Sequence, residues 1–318
     1  IPRDSGSNDK EKLNNAIKEI IDQGANIIIG PTDSKDFDQL SKYKDTIFIS
    51  LSIMHPETVN NIISIGISLD SQLTAIENLI KKEKRTKTLI MYPINEYTKF
   101  IDEKIKTINL KNYKIFKYNP DPKILTGEIE ILTNYSQRKK NLELRKKIFE
   151  DKDDEQSKRQ LKILDQKYTI GDVNFDSVII IDFGNNLKSV LASLIFTDVD
   201  QEKVLFTTIN QWFDESIFYE NTLKNLYYPS VNYKNFKNYK KNYFETFKSN
   251  PSEMTILAYD ALGLIYYIWK KNGKIVSVND FSFKGKIKGK IGKFSFDNKQ
   301  VIQDLNIYKV GKNKFTKF

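Results

Sequence analysis

One unit recurs along this chain: an amphipathic helix followed by a short strand whose consecutive residues are all apolar. Leu13, Ala16, Ile17, Ile20 and Ile21 repeat at helical spacing, Gly24 supplies a terminator, and Asn26-Ile27-Ile28-Ile29-Gly30-Pro31 follows. Phe37, Leu40 and Tyr43 then share a helical face before an apolar strand over 46–50, and a third strand covers 62–67. A strand without alternation is hidden on both faces, so helices must cover both sides of a parallel sheet.

The pattern then restarts. A helix bearing Leu73, Ile76, Leu79 and Ile80 precedes a strand at 88–92, and a helix at 97–108 precedes a strand at 113–118. A long charged region over 123–167 reads as a helical insertion, in which basic residues outnumber acidic ones from 137 onward. Strand 177–182, helix 186–196 and strands 204–207 and 225–228 complete a second α/β lobe. Two further helices (232–247 and 254–270) and strands near 292–296 and 305–310 end the chain. The expected division gives 1–69 and 231–284 to a first lobe, and 70–230 and 285–318 to a second. Trp269 is read as core, and Trp212 as core or cleft wall.

Composition removes several functions. The 318 residues contain no Cys and a single His, His55, which excludes disulfides, thiolate nucleophiles and two-His metal sites. A Ser-His-Asp triad would have to be built on His55 alone. No catalytic residue, metal or cofactor is expected, and Asp151, Asp153, Asp154 and Glu155 read as solvated acids on a charged helix. The formal charge of +10 is carried by dispersed Lys with only Arg3, Arg85, Arg138, Arg145 and Arg159, which reads as a solvated surface and not as a nucleic-acid site. The most apolar helix, over 256–269, is shorter than the roughly 18 residues of a membrane span. Because the chain starts at Ile1 with no basic-then-apolar leader, it reads as truncated at its amino end.

Function in an open parallel sheet sits beyond the carboxyl ends of its strands, where helix amino termini present free N–H groups. Thr32, Asp33 and Ser34 stand there after one strand, with helix capping and ligand contact both open to them. Ser52, Met54 and His55 stand there after the next, as ligand contacts or as an ordinary loop.

Several of these segments resemble one family. Gly24 to Pro31 is similar to the "GA…IIGP" segment of type I periplasmic binding proteins, and 49–57, ending His55-Pro56-Glu57, is similar to their serine-containing loop. Thr255-Ile256-Leu257-Ala258-Tyr259-Asp260-Ala261 is similar to the helix that closes their first lobe. Pro2-Arg3-Asp4-Ser5-Gly6, the charged region with Arg138, Leu142 and Arg145, the stretch Thr169 to Asp176, and Gln211-Trp212 resemble the LppC/LpoA-like branch of penicillin-binding protein activators.

The resemblance implies a two-lobed α/β fold of parallel sheets flanked by helices, with three crossovers near 68–71, 229–232 and 283–289. It implies a cleft lined by Thr32, Asp33, Ser34, Ser52, Met54 and His55 from one lobe and by Phe183, Gln211 and Trp212 from the other. A receptor for a free amino acid needs a carboxylate for the buried ammonium, yet Ile209 or Asn210 falls near that position. The implied role is therefore an envelope activator of peptidoglycan synthases whose partner is a class A penicillin-binding protein. The alternative is a substrate-binding protein of an ABC transporter for branched-chain amino acids or another small polar solute, with a permease as partner and the solute in the cleft. Either implies the periplasm, or an outer-membrane-anchored lipoprotein, of a Gram-negative bacterium. Because the family's first strand has no counterpart in this chain, Ile27 to Ile29 is expected to pair on one side only.

Overall fold

The computed structural model describes residues 1–6, 9–32, 37–54, 59–219, 225–282, 285–297 and 299–318. The chain divides into two compact units, one of 1–72 and 230–306, the other of 73–229 and 307–318.

In the first unit, α1 (Lys10–Asp22) begins where the Asp9 carboxylate accepts the amides of Glu11 and Lys12, and it turns Leu13, Ala16 and Ile17 inward. Strands β1 (Ile27–Ile29), β2 (Ile47–Ser50) and β3 (Ile62–Ser64) run parallel, with Ile27 opposite Ile47 and Phe48 opposite Ile62. α2 (Phe37–Leu40) adds Phe37 and Leu40 to a core that also holds Leu13, Ile17, Phe48, Val59 and Ile62. Every residue of β2 and β3 is buried, which is why neither shows a polar alternation. β1 lies at the sheet edge; among the described residues its only strand partner is β2, as expected from the sequence.

Beyond β3 the sheet continues through β11 (Gln300–Gln303), β10 (Lys293–Asp297) and β9 (Ile287–Lys288). This corrects the expected division, which gave 285–306 to the second lobe and put the third crossover at 283–289. The chain instead leaves the first unit between Asn306 and Ile307. β11 escaped notice because it is short and ends in a polar residue. Gln303, however, is a buried bracket: its side chain accepts the Ser68 amide at 3.2 Å and donates to the Gly66 carbonyl at 2.9 Å, while its own amide donates to Ser71 Oγ at 3.0 Å.

α9 (Tyr233–Phe247) and α10 (Glu253–Asn272) complete this unit. α10 buries Ile256, Leu257, Ala261, Leu264 and Ile268 along one stripe, together with Asp260. Its opposite side leaves Tyr259, Leu262, Tyr266 and Trp269 exposed, so Trp269, at 54% exposure, is not the core residue expected. A helix apolar all round reads as fully buried, but here only one stripe is covered. The other side borders an open groove of about 1100 Å³ whose walls include Tyr239, Tyr243, Tyr259 and Ile29 of β1.

The buried Asp260 carboxylate accepts the amides of Lys290 at 2.7 Å and Ile291 at 2.8 Å, and a Cβ on Gly289 would fall 2.4 Å from it. Asp260→Ala orphans both amides and is expected to cost about 2 kcal/mol, since one unsatisfied buried donor costs roughly 1–3. Urea unfolding checks this. An unchanged midpoint would show the loop to be held by its strand pairing alone.

The second unit centres on a parallel sheet of β4 (Thr88–Pro93), β5 (Tyr113–Tyr118), β6 (Ser177–Ile180), β7 (Leu205–Thr208) and β8 (Leu226–Ser230). A hairpin of β12 (Asn306–Gly311) and β13 (Lys314–Lys317) ends it, in the order β13-β12-β8-β7-β6-β4-β5. α3 (Leu69–Lys82) leads into β4, α4 (Thr98–Ile105) connects β4 to β5, and α8 (Gly184–Phe196) follows β6. At the amino ends of β4 and β6, Asp176 accepts the amides of Thr86 and Lys87 at 2.8 and 3.0 Å.

The charged insertion is helical as expected, but it is three helices: α5 (Pro122–Leu132), α6 (Tyr135–Glu150) and α7 (Glu155–Leu164). Asn134, at φ 51°, breaks α5 from α6, and the Asp154 carboxylate caps α7 by accepting the Ser157 amide at 2.8 Å. α6 turns Arg138 and Leu142 inward. The Arg138 guanidinium donates to the carbonyls of Thr133, Thr197 and Asp198 and to Thr169 Oγ1, tying α6 to the end of α8 and to the segment before β6. The 169–176 stretch that carried part of the resemblance is thus framework: Thr169 meets Arg138, Asp172 pairs with Lys203, and Phe175 is buried.

Candidate functional site

In the first unit the carboxyl ends of β1 and β2 open into the loops singled out in the sequence. Gly30 donates its amide to the Ile49 carbonyl at 2.9 Å, and Thr32 follows the cis Gly30-Pro31 bond. After β2, Ser52 donates its amide to Ser50 Oγ and its hydroxyl oxygen accepts the Met54 amide, both at 3.1 Å. Ser64 Oγ donates to the Met54 carbonyl at 3.3 Å. The loop lies directly on Gly66, where a Cβ would stand 1.9 Å from the Ser52 carbonyl oxygen. Asp33, Ser34 and His55 lie outside the described residues.

In the second unit the order β5-β4-β6 means that the chain leaves β4 to one side and returns on the other, and the crevice at such a reversal is where open sheets hold ligands. The carboxyl end of β6 there carries Asp182, which is buried. Its carboxylate accepts the Tyr118 hydroxyl at the end of β5 and the Phe183 amide at 2.8 Å. Its carbonyl accepts Gln211 Nε2 at 3.1 Å and Thr208 Oγ1 at 3.2 Å. Phe183 is 64% exposed at the start of α8. Beyond β7, Trp212 donates its amide to Asn210 Oδ1 at 3.0 Å and takes φ 50°, so its backbone turns sharply.

The structure therefore joins Phe183 and Gln211 through Asp182, and Ser52 with Met54, while Trp212 is anchored on Asn210. Thr32, Ser52 and Met54 belong to the first unit; Phe183, Gln211 and Trp212 belong to the second. Asp182 and Tyr118 were not singled out in the sequence. The signal was there, because an Asp that ends the apolar run Val178-Ile179-Ile180-Ile181 must be solvated or partnered.

Burial raises the Asp182 carboxyl above the ordinary carboxylate range, against the opposing pull of the Tyr118 and Phe183 hydrogen bonds. A carboxyl whose folded pKa exceeds its unfolded one makes stability fall as pH rises from about 4 through the raised value. Asp182→Asn removes that term, so the variant is expected to gain on the parent as pH rises from 4 to 8. Denaturation midpoints across that range test the sign; a constant gap would place no titration on Asp182.

Among the described residues no three His, Asp or Glu side chains gather as a metal site, and no helix is long and apolar enough to cross a membrane.

No family model matches this chain, and no curated protein matches it. Solved structures do, and they define its class: the chain has the type I periplasmic-binding-protein fold. It is similar to the branched-chain amino acid transporter substrate-binding protein LivJ of Streptococcus pneumoniae in complex with isoleucine, with a TM-score of 0.60 and 14% identity over 97% of this chain and 83% of that one. An extracellular ligand-binding receptor of Rhodopseudomonas palustris gives a TM-score of 0.64 at 11% identity, over 98% of this chain and 87% of that one. Full-length LpoA of Haemophilus influenzae gives 0.59 at 12% identity, over 96% of this chain and 50% of that one. Both branches that the sequence resembles are thus among the matches, and at such identities the likeness is one of fold.

Proposed function

We propose that this chain is a non-catalytic binding protein of the bacterial envelope, an LppC/LpoA-like activator that stimulates a class A penicillin-binding protein by direct contact. The observation that carries the reading is the state of Asp182. Asp33 lies outside the described residues; among the described residues Thr32, Ser50 to Met54, Asp182 to Gly184 and Ile209 to Trp212, Asp182 is the one carboxylate, and it is buried and accepts from Tyr118 and the Phe183 amide. A free α-ammonium needs an ionised partner, and this one is biased toward the neutral acid. The strand-end loops around Asp182, Phe183 and Gln211 in the second unit then suit a neutral ligand or none. The chain acts in the periplasm, or as an outer-membrane lipoprotein, of a Gram-negative bacterium. Adding it to the purified synthase is expected to raise the rate of glycan cross-linking; an unchanged rate contradicts the reading.

A second reading has its own support. The structures of solute receptors are matched over more of their length than LpoA is. Under it the same loops hold a small polar solute and the partner is an ABC transporter permease.

A further inference from the structure

The two sheets end in β1, β9, β13 and β5, and β1 is unlike the rest. Exposed Lys288 stands on β9, Lys314 and Lys317 on β13, and Lys114 and Lys117 on β5. A lysine on an edge strand discourages pairing with another strand, because joining the edges would strip water from its charge. β1 is Ile27-Ile28-Ile29 with no charge on it, and Ile29 is 36% exposed.

The outward groups of this edge follow from its ladder. The Asn26 carbonyl accepts the Ile47 amide at 2.9 Å, and Gly30 donates its amide to the Ile49 carbonyl at 2.9 Å. Alternate residues of a parallel strand bond the same neighbour, so Ile28 also faces β2. The N–H and C=O of Ile27 and Ile29 therefore point away from the sheet, and among the described residues no other backbone group bonds to them. Ile29 also borders the open groove with Tyr259 and Leu262 of α10, both exposed. The α9 and α10 walls of that groove carry no exposed charge: Lys234, Lys237, Lys240 and Lys241 of α9 all lie off it.

We propose that β1 pairs antiparallel with β1 of a second copy of this chain about a two-fold axis. In a register centred on Ile28, Ile27 of each copy lies opposite Ile29 of the other, and each such pair exchanges both of its hydrogen bonds. The edge is thus its own complement, in donors, acceptors and apolar side chains. The lysines on β5, β9 and β13 select this pairing, because they leave β1 as the one uncharged edge that another copy can offer. The axis stands perpendicular to the sheet, so α10 stays on one side of the joined strands with its copy. Three residues of strand are too few alone, and Tyr259 and Leu262 add apolar area toward the roughly 1,000 Å² that a specific interface buries. Each β1 is used once, so association stops at two. The contact is independent of both functional readings.

Sedimentation velocity of the full chain over a range of concentrations is expected to show a monomer giving way to a dimer and no larger species. Added salt should tighten the dimer, because each copy carries a formal charge of +10 and the contact itself is apolar. Ile29→Lys, which gives β1 the charge its counterpart edges carry, is expected to weaken dimerisation at least about tenfold, a change of about 1.4 kcal/mol. Hydrogen exchange on the parent needs no variant: the Ile27 and Ile29 amides should slow only at dimer concentrations, and the Ile28 amide should be slow throughout. A monomer at every concentration overturns the proposal, as does a dimer that high salt weakens. A dimer that keeps its affinity in Ile29→Lys with Ile29 exchange unchanged places the contact elsewhere and overturns it. Protection of Ile27 and Ile29 at every concentration would show the edge to be covered within one chain, and open-ended association would exclude the two-fold; either result overturns it.

Discussion

Replacing Arg138 by Ala is expected to lower the unfolding free energy by about 3 kcal/mol or more and to loosen α6 from the second unit. The guanidinium is buried and donates to Thr133, Thr169, Thr197 and Asp198. Truncation leaves those acceptors without their donor, and each unmet buried group costs roughly 1–3 kcal/mol. Arg138→Lys should recover only part of the loss, because an ammonium cannot reproduce a planar fork aimed at several carbonyls. Urea midpoints give the energies, and amide exchange in α6 and at 169–171 locates the loosening. A loss spread evenly over both units would argue against a local hub.

Gly66→Ala is expected to be as damaging, through backbone contact. Its new Cβ would stand 1.9 Å from the Ser52 carbonyl oxygen and 2.5 Å from that of Leu51, and neither is a flexible side-chain end that could swing away. Such overpacking costs about 3 kcal/mol at the upper end of its usual range. The segment that follows β3 and the loop bearing Ser52 and Met54 would have to separate. A thermal melt within a degree of the parent would mean that the loop shifts freely.

Much of the architecture was legible because it follows from periodicity. Buried parallel strands such as β2, β3, β4 and β6 are runs of consecutive apolar residues, and helices such as α1 and α3 carry their core residues at helical spacing. What escaped reading depended on partners distant in sequence. β11 is a strand because β3 offers it an edge and because Gln303 finds Ser68, Ser71 and Gly66, none of which a local window reveals. Trp269 read as core because hydropathy alone cannot say which stripe of an apolar helix meets a neighbour. The candidate site was legible as strand ends and no further. Loops after β1, β2, β6 and β7 were found, but the buried pair of Tyr118 and Asp182 is formed by strands far apart in the chain.

These loops either serve a solute or stand beside a protein contact. The most direct measurement is a thermal-shift screen of amino acids, amides and cell-wall fragments on the purified chain, run alongside the synthase. A true ligand at 100 times its Kd stabilises a protein by about 2.7 kcal/mol, well within detection. The activator reading expects no response to leucine, isoleucine or valine and a clear one to the class A synthase; stabilisation by a free branched-chain amino acid, with none from the synthase, would contradict it.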